Sequence, residues 1–588
     1  MKYYLVIVAA VVLVALPFLL RKSAAVGDWR AGDPVLVILS PHNEAIRYEF
    51  SEGFSRWHRA QYGRPVKVDW RVIGGTTEIM RYLASEYVGS MRGFWQRRGE
   101  RWPSDGAELI LDRAFRPDKP PAAAATNAWL AARFAQQKQV YQAFRGVDDP
   151  AAVTCGVDLF FGGGSFDHDR AARQGLCVAP WSREESQQPD VAALLGAFPS
   201  QMGGETWRSE VFFGTVLSSF GICSNPERLR ELGVPDDPVR WLDLADPRLV
   251  GQVGLADPTK SGSVAKAFEM IIHEQCWQAV LAAGFTREMV ASNESVIALA
   301  RLPPGVMPPG VPPEYQAAVA RGWLAGVNLV RRIGANAHYF TDGAGKVPMD
   351  VCAGVVATGV AIDFYGRFQA ETERAPNGAE RMRYVTPHGG SSVSADPVSL
   401  LRGAPHRELA VRFIRFALSV EGQQLWNYRP GTPGGPRQYA LRRLPIRREF
   451  YPASDPTQQA VCASHRPYLS DDLTDPAINP YVIGAQFTYQ ARWTGAHFSM
   501  QRDLVRAMCL DAGDELRAAW RAILAHGGPE RNPQAMALLL QLPDQPVALN
   551  WSSALTTYQS ANRQACLREW TAFFRKQYVA ARAAAEGA

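Results

Sequence analysis

Along this chain, runs of consecutive apolar residues give way repeatedly to apolar positions three and four apart. In "PVLVILSPHN" (34–43) an apolar run ends in a polar loop, and "EAIRYEFSEGFSRWHRAQYG" (44–63) continues at helical spacing to Gly63. The pair predicts a strand followed by a helix. "VKVDWRVIGGTTEIMRYLASEYV" (66–88) repeats the unit, with Gly74, Gly75, Thr76 and Thr77 at the turn. "VDLFFGGGSFDHD" (157–169) begins a third, in which a buried strand breaks into Gly162, Gly163 and Gly164 before Ser165. Residues 89–154 interrupt the pattern with the Pro/Ala-rich "RPDKPPAAAAT" and a helical segment near 127–145, and they read as a surface insertion away from any ligand. After the extended stretch "VFFGTVLSSFGICSN" (211–225) and the helix "PERLRELGV", the alternation resumes in "VGLADPTKSGSVAKAFEMIIHE" (253–274).

Such alternation predicts an α/β fold. At 588 residues with 47% apolar content, the chain needs two or more packed units. In open α/β sheets, ligands bind beyond the carboxyl ends of the strands, where loops lead into helices with free N–H groups. This singles out Ser40, His42 and Asn43 in "SPHN", Thr76 and Thr77 in "GGTT", and Gly163, Gly164 and Ser165 in "GGGS". The glycines let backbone amides approach a ligand, and Ser165 can cap the next helix. The other reading is a plain capped turn. "DPTKSGS" (257–263) has the same design with more chemistry: hydroxyls on Thr259, Ser261 and Ser263, an open backbone at Gly262, and a cation on Lys260, the only lysine in these four loops. An anionic group suits such a turn; an ordinary capped helix with an exposed lysine is the alternative. Residues 254–261 come within one residue of a nucleotide-binding G-x-x-x-x-G-K-[ST] loop. Thr259 replaces its second glycine, Pro258 removes an amide, and Asp257 brings a carboxylate into the nest, all of which count against nucleotide.

Three blocks together, "VDLFFGGGS", "WLDLADPRLVGQVGLADPTKSGS" (241–263) and "LLRGAPHRELAVRFIRFALSVEGQQLW" (400–426), resemble the extracellular solute-binding proteins of ABC transporters, family 1, and within it the iron(III)/phosphonate-type branch. The resemblance covers roughly 34–440. It implies a bilobal periplasmic-binding-protein-like fold of type II, two α/β lobes joined by hinge strands. Lobe one would span 34–220, with the insertion 89–154, and return at 389–440; lobe two would span 221–388. The crossings fall near 218–225 and 384–397, which sets Ser165 and Lys260 on opposite walls of one cleft. Iron binders of this branch carry an adjacent Tyr-Tyr pair in lobe two. The corresponding "GKVPMDVCAGVVATGVAIDFYG" (345–366) offers only Tyr365, which argues against iron, while Asp350 and Asp363 remain as acceptors for an ammonium group or as ordinary strand-end residues. Residues 441–588 exceed the family's length and read as a helical C-terminal extension packed on lobe one.

The amino terminus carries an address. Lys2, an apolar run from Tyr3 to Leu20, and then Arg21 and Lys22 make residues 1–25 a signal peptide or a membrane anchor. Eight cysteines follow without any C-x-x-C pair, which disfavours zinc ribbons and dithiol redox sites. Cys155 and Cys177 are a candidate disulfide; buried free thiols are the other reading. The net charge of +6, from 63 basic and 57 acidic residues without basic clusters, disfavours nucleic acid. No cofactor motif, G-x-S-x-G elbow or H-E-x-x-H appears. The expectation is an exported binding protein, not an enzyme, with an anionic or zwitterionic small molecule and an ABC permease as partners. An exported hydrolase or sensor ectodomain on the same fold is the alternative.

Overall fold

The computed structural model describes residues 29–30, 32–112, 115–300, 302, 306–375, 378–544, 548–560 and 562–587. The amino-terminal apolar run lies outside them, and among the described residues no helix is long and apolar enough to cross a membrane.

The chain builds two mixed sheets. Strand β1 (Val35–Leu39) leads through Asn43 into helix α1 (Glu44–Tyr62), and the Asn43 side chain accepts from the Ile46 amide at 3.1 Å. Strand β2 (Lys67–Arg71) leads into α2 (Thr76–Arg97), and β3 (Leu159–Phe161) into α3 (Ser165–Arg173). Strands β4 (Phe212–Ser218) and β5 (Phe220–Ser224) are buried at every position and meet at Ser219, where the chain leaves the first sheet for the second. In the second sheet β6 (Val253–Ala256) precedes helices α4 (Gly262–Ala282) and α5 (Pro313–Ala335), then β7 (Ala337–Thr341), α6 (Lys346–Cys352), β8 (Thr358–Ile362) and β9 (Arg383–Val385). The return to the first sheet is β10 (Ser394–Leu401), and β11 (Leu444–Pro445) adds an edge strand.

Strand order is β11-β4-β10-β3-β1-β2 in the first sheet and β7-β6-β8-β5-β9 in the second. β1 runs parallel to β2 and β3, and β10 runs antiparallel to β3 and β4. β6 is parallel to β7 and β8, whereas β5 is antiparallel to β8 and β9. Two short connections thus join the lobes, one at Ser219 and one between Val385 and Ser394. They are tied to each other: the Phe220 amide donates to Ser391 Oγ at 2.9 Å, and the Ser219 and Thr386 hydroxyls lie 2.9 Å apart. Asp363, left open as an ammonium acceptor or an ordinary strand-end residue, is the latter: it is buried after β8 and accepts from the Ser219 amide at 3.0 Å.

The insertion packs on one face of the first sheet: Leu83, Tyr87, Met91 and Trp95 of α2 join Ile110, Val140 and Phe144 in a core with Leu39 of β1, Phe160 of β3 and Leu401 of β10. All eight cysteines are buried free thiols, so the Cys155–Cys177 bridge is not formed. Cys155 instead lies 3.4 Å from the Tyr87 hydroxyl.

The C-terminal extension meets the expectation only in its first part. Beyond the β11 edge strand it stays on lobe one, where the Arg448 amide donates to the Ala197 carbonyl at 3.1 Å and the Tyr481 ring lies 5.4 Å from that of Trp207; it then crosses to lobe two as helices α7 (Phe498–Val505), α8 (Gly513–Ala525) and α9 (Arg563–Glu586), with a π-helical turn at Arg506–Asp511. There the Trp520 indole donates to Asn336 Oδ1 at 2.9 Å, and buried Arg331 of α5 donates to the carbonyls of Leu539 and Gln541. Apolar faces on α4 and α5 that would otherwise be exposed explain this choice.

Candidate functional site

A cavity of about 700 Å³ lies at the seam between the lobes. Four helices begin on its walls: α1 at Asn43, α2 at Gly75 and Thr76, α3 at Gly164 and Ser165, and α4 at Ser261 and Gly262. First-turn amides have no intrahelical acceptor, so the positive ends of four helix dipoles converge on one space.

Close approach explains the glycines. Gly162 and Gly163 both have φ of +91°, and a Cβ would lie 2.4 Å from the His42 ring at Gly162 and 2.3 Å from Thr76 Cγ2 at Gly163. The triple glycine therefore makes room for side chains from the two neighbouring turns. Across the seam, a Cβ on Gly262 would lie 3.2 Å from Thr76 Oγ1, and one on Gly75 would lie 3.0 Å from the Lys260 carbonyl oxygen. The lobes are closed on each other.

Of the residues singled out in the sequence, His42, Asn43, Thr76, Gly163, Gly164, Ser165, Lys260, Ser261, Gly262 and Ser263 line this cavity. Four do not. Ser40 is fully buried, and its hydroxyl accepts from the His42 amide at 3.1 Å, shaping the loop from behind. Thr77 accepts from Arg502 at 2.9 Å. The Thr259 hydroxyl donates to Asp257 at 2.6 Å. Asp350, on α6, is held by Lys346 and the Tyr339 hydroxyl. Two further details differ from expectation. Ser165 is the first helical residue while Gly164 occupies the cap, so its hydroxyl does not cap the helix. Lys260 is half exposed and lies 2.6 Å from Asp342, which raises its pKa and occupies its charge.

Several lining groups carried no signal in the loops. Lys266, one and a half turns into α4, lies 2.9 Å from Glu205 and 2.9 Å from Glu269. Burial alone would lower its pKa, but the two carboxylates outweigh that and raise it. The Tyr489 hydroxyl donates to Glu269 at 2.6 Å, its ring centroid lies 3.8 Å from Lys266 Nζ, and Ser392 donates to Glu205 at 2.6 Å. At the hinge end, Asp396 lines the cavity and accepts from fully buried Arg443 at 2.5 Å. Phe212, Phe220, Phe364 and Tyr365 add flat apolar surface around it. Both His42 ring nitrogens lack a hydrogen-bond partner; burial, then Arg443 and Arg47, hold its pKa well below the ordinary value, so the ring is neutral. Among the described residues no cluster of three His, Cys, Asp or Glu side chains could hold a metal ion.

Residues 207–451, which include both connections and the second sheet, match the family model described as bacterial extracellular solute-binding protein. This segment is similar to extracellular solute-binding proteins. An uncharacterised protein of Haemophilus influenzae is 26% identical to the chain over 269 residues, 46% of this chain and 60% of that protein. The match thus spans less than two thirds of that relative. Among solved structures, the periplasmic binding protein AfuA from Actinobacillus pleuropneumoniae, with fructose-6-phosphate bound, is 15% identical at a TM-score of 0.42, covering 79% of this chain and 98% of that one. Iron-bound HitA from Pseudomonas aeruginosa is 15% identical at 0.42, covering 81% and 100%. The bilobal architecture of the chain rests on its two sheets and their two connections.

Proposed function

We propose that this protein is the extracytoplasmic solute-binding component of an ABC importer, and that it captures a small anionic or zwitterionic solute between its lobes. One observation carries the reading: a single cavity of about 700 Å³, within the size range of small-molecule sites, is walled by both lobes and receives four helix starts. An anionic group belongs among those first turns, since the cap residues of α2 and α3, Gly75 and Gly164, have no side chain to occupy the amides. The Lys266–Glu205–Glu269 cluster carries one net negative charge and favours a cationic or hydroxyl-rich opposite end. Phenyl rings near Asp396 supply apolar contact for the body between. Contacts from both lobes are made only when the lobes are closed, so they favour the closed state. Residues 1–25 would direct export or anchor the protein at the membrane, beside a permease that receives the solute.

The test is native mass spectrometry of protein purified without refolding, followed by thermal-shift screening. The panel is phosphate, methylphosphonate, small carboxylates, glycine betaine, spermidine and glucose. A larger shift with an anion or zwitterion than with glucose or spermidine is expected, with the compound recovered unchanged. The largest shift with glucose would overturn the charge assignment. Turnover of the bound compound would overturn the binding function.

A further inference from the structure

The extension behind the solute-binding module reaches into the cleft. Tyr489, Ala491 and Phe498 line the cavity together with the two lobes. Arg502, on the same helix as Phe498, spans the seam: Nη2 donates to Thr77 Oγ1 of lobe one at 2.9 Å and to the Thr259 carbonyl of lobe two at 2.8 Å, while Nε donates to the Pro258 carbonyl at 2.7 Å. The Phe498 ring lies 4.8 Å from the Phe166 ring on α3 of lobe one. A second tie runs through Tyr489. Its amide donates to the Gly203 carbonyl, in the hairpin before β4, at 2.7 Å, while its hydroxyl reaches Glu269 on α4 of lobe two. The fit at this hairpin leaves no room for a side chain, since a Cβ on Gly204 would lie 2.0 Å from the Tyr489 carbonyl oxygen.

We propose that the C-terminal extension forms the third wall of the cleft and that Arg502 is a positioning residue that straps the two lobes in their closed arrangement. Bonds made only when the lobes are closed bias the equilibrium toward closure even without a solute. A two-lobed clamp without this segment opens and shuts about its hinge strands; here exchange of solute also requires the 489–502 segment to release one lobe. That a solute occupies the chamber rests on the binding function proposed above, whereas the strap is a property of the empty protein.

The experiment is therefore done without ligand. Ser85 on α2 and Met349 on α6 are exposed, on opposite lobes, and the eight native thiols are buried. Nitroxides on Ser85→Cys and Met349→Cys in the full chain report the inter-lobe distance by pulsed electron resonance. A narrow distribution is expected in this background, with broadening toward longer distances in Arg502→Ala and in Thr77→Val, and with the circular dichroism spectrum retained. Arg563→Ala removes a 2.7 Å contact to Asp503 within the extension and should leave the distribution narrow. If Arg502→Ala does not fold, Thr77→Val, which removes only the lobe-one acceptor, decides. A broad distribution in the background, an unchanged one in Thr77→Val, or equal broadening in Arg563→Ala overturns the proposal.

Discussion

Gly75 of lobe one faces Lys260 of lobe two so closely that a Cβ on the glycine would sit 3.0 Å from the lysine's carbonyl oxygen. The contact is between backbones, and neither side can turn a rotamer away to relieve it. A methyl group here would require the facing backbones to part by a few tenths of an ångström.

Gly75→Val should act as a prop. Its φ of −75° is ordinary for any residue, so lobe one should fold normally while the seam cannot shut. We expect amide exchange over 260–264 to accelerate. Affinity for the solute giving the largest thermal shift should fall about tenfold, roughly 1.4 kcal/mol. Exchange mass spectrometry and a binding titration check both; unchanged exchange would show that the seam tolerates the side chain.

Gly163→Ala should instead damage lobe one itself. The left-handed φ of +91° and a Cβ placed 2.3 Å from Thr76 Cγ2 combine, each costing about 1–3 kcal/mol. Thr76→Ser removes the offending methyl, so the double variant should recover the crowding share and keep the backbone share. Urea denaturation of the two variants separates them.

Lys266→Met should strand two buried carboxylates. Removing one partner of a buried ion cluster costs about 3–5 kcal/mol, and adding Glu205→Gln and Glu269→Gln should restore much of it. Because the pKa of Lys266 is raised, its contribution is complete below the ordinary lysine value and is lost only as alkaline pH passes the folded value. The loss in Lys266→Met should accordingly be undiminished at pH 7, as measured by chemical denaturation.

Glu274, packed against Gly390 of the return connection, should make stability fall with pH. Burial pushes its pKa up to about 7 from 4.5, with Gln275 and Arg240 opposing. The folded state thus holds a proton that the unfolded chain has released. Its contribution is present below pH 4.5 and lost as pH rises through about 7, a span of about 3 kcal/mol. Glu274→Gln should flatten that part of the profile and stabilise the protein at pH 8. An identical profile in wild type and variant would show that Glu274 is not protonated in the fold.

The sequence by itself carried the repeating unit of this protein. Strand, polar or glycine-hydroxyl turn and helix at 34–63, 66–88 and 157–173 are written in local spacing, and the short-range chemistry of "SPHN", "GGTT", "GGGS" and "TKSGS" suffices to put helix starts at the carboxyl ends of strands. Local signals of this kind survive because backbone geometry is set within a few residues. Loops at strand ends share one edge of their sheet, which groups His42, Asn43, Thr76, Gly163, Gly164 and Ser165 on one wall of the cavity; that Lys260, Ser261, Gly262 and Ser263 of the second sheet face them was implied only by the family resemblance. What each group does there was decided only in three dimensions. Lys260 finds Asp342, 82 positions away, and Tyr489 finds Glu269 across 220; Arg502 finds Thr77 across 425. No periodicity encodes such pairs, because they depend on how separately folded layers stack. For the same reason the extension could be read as helical from its own pattern, while its place on lobe two and in the cleft followed only from which apolar faces of α4 and α5 were left to cover.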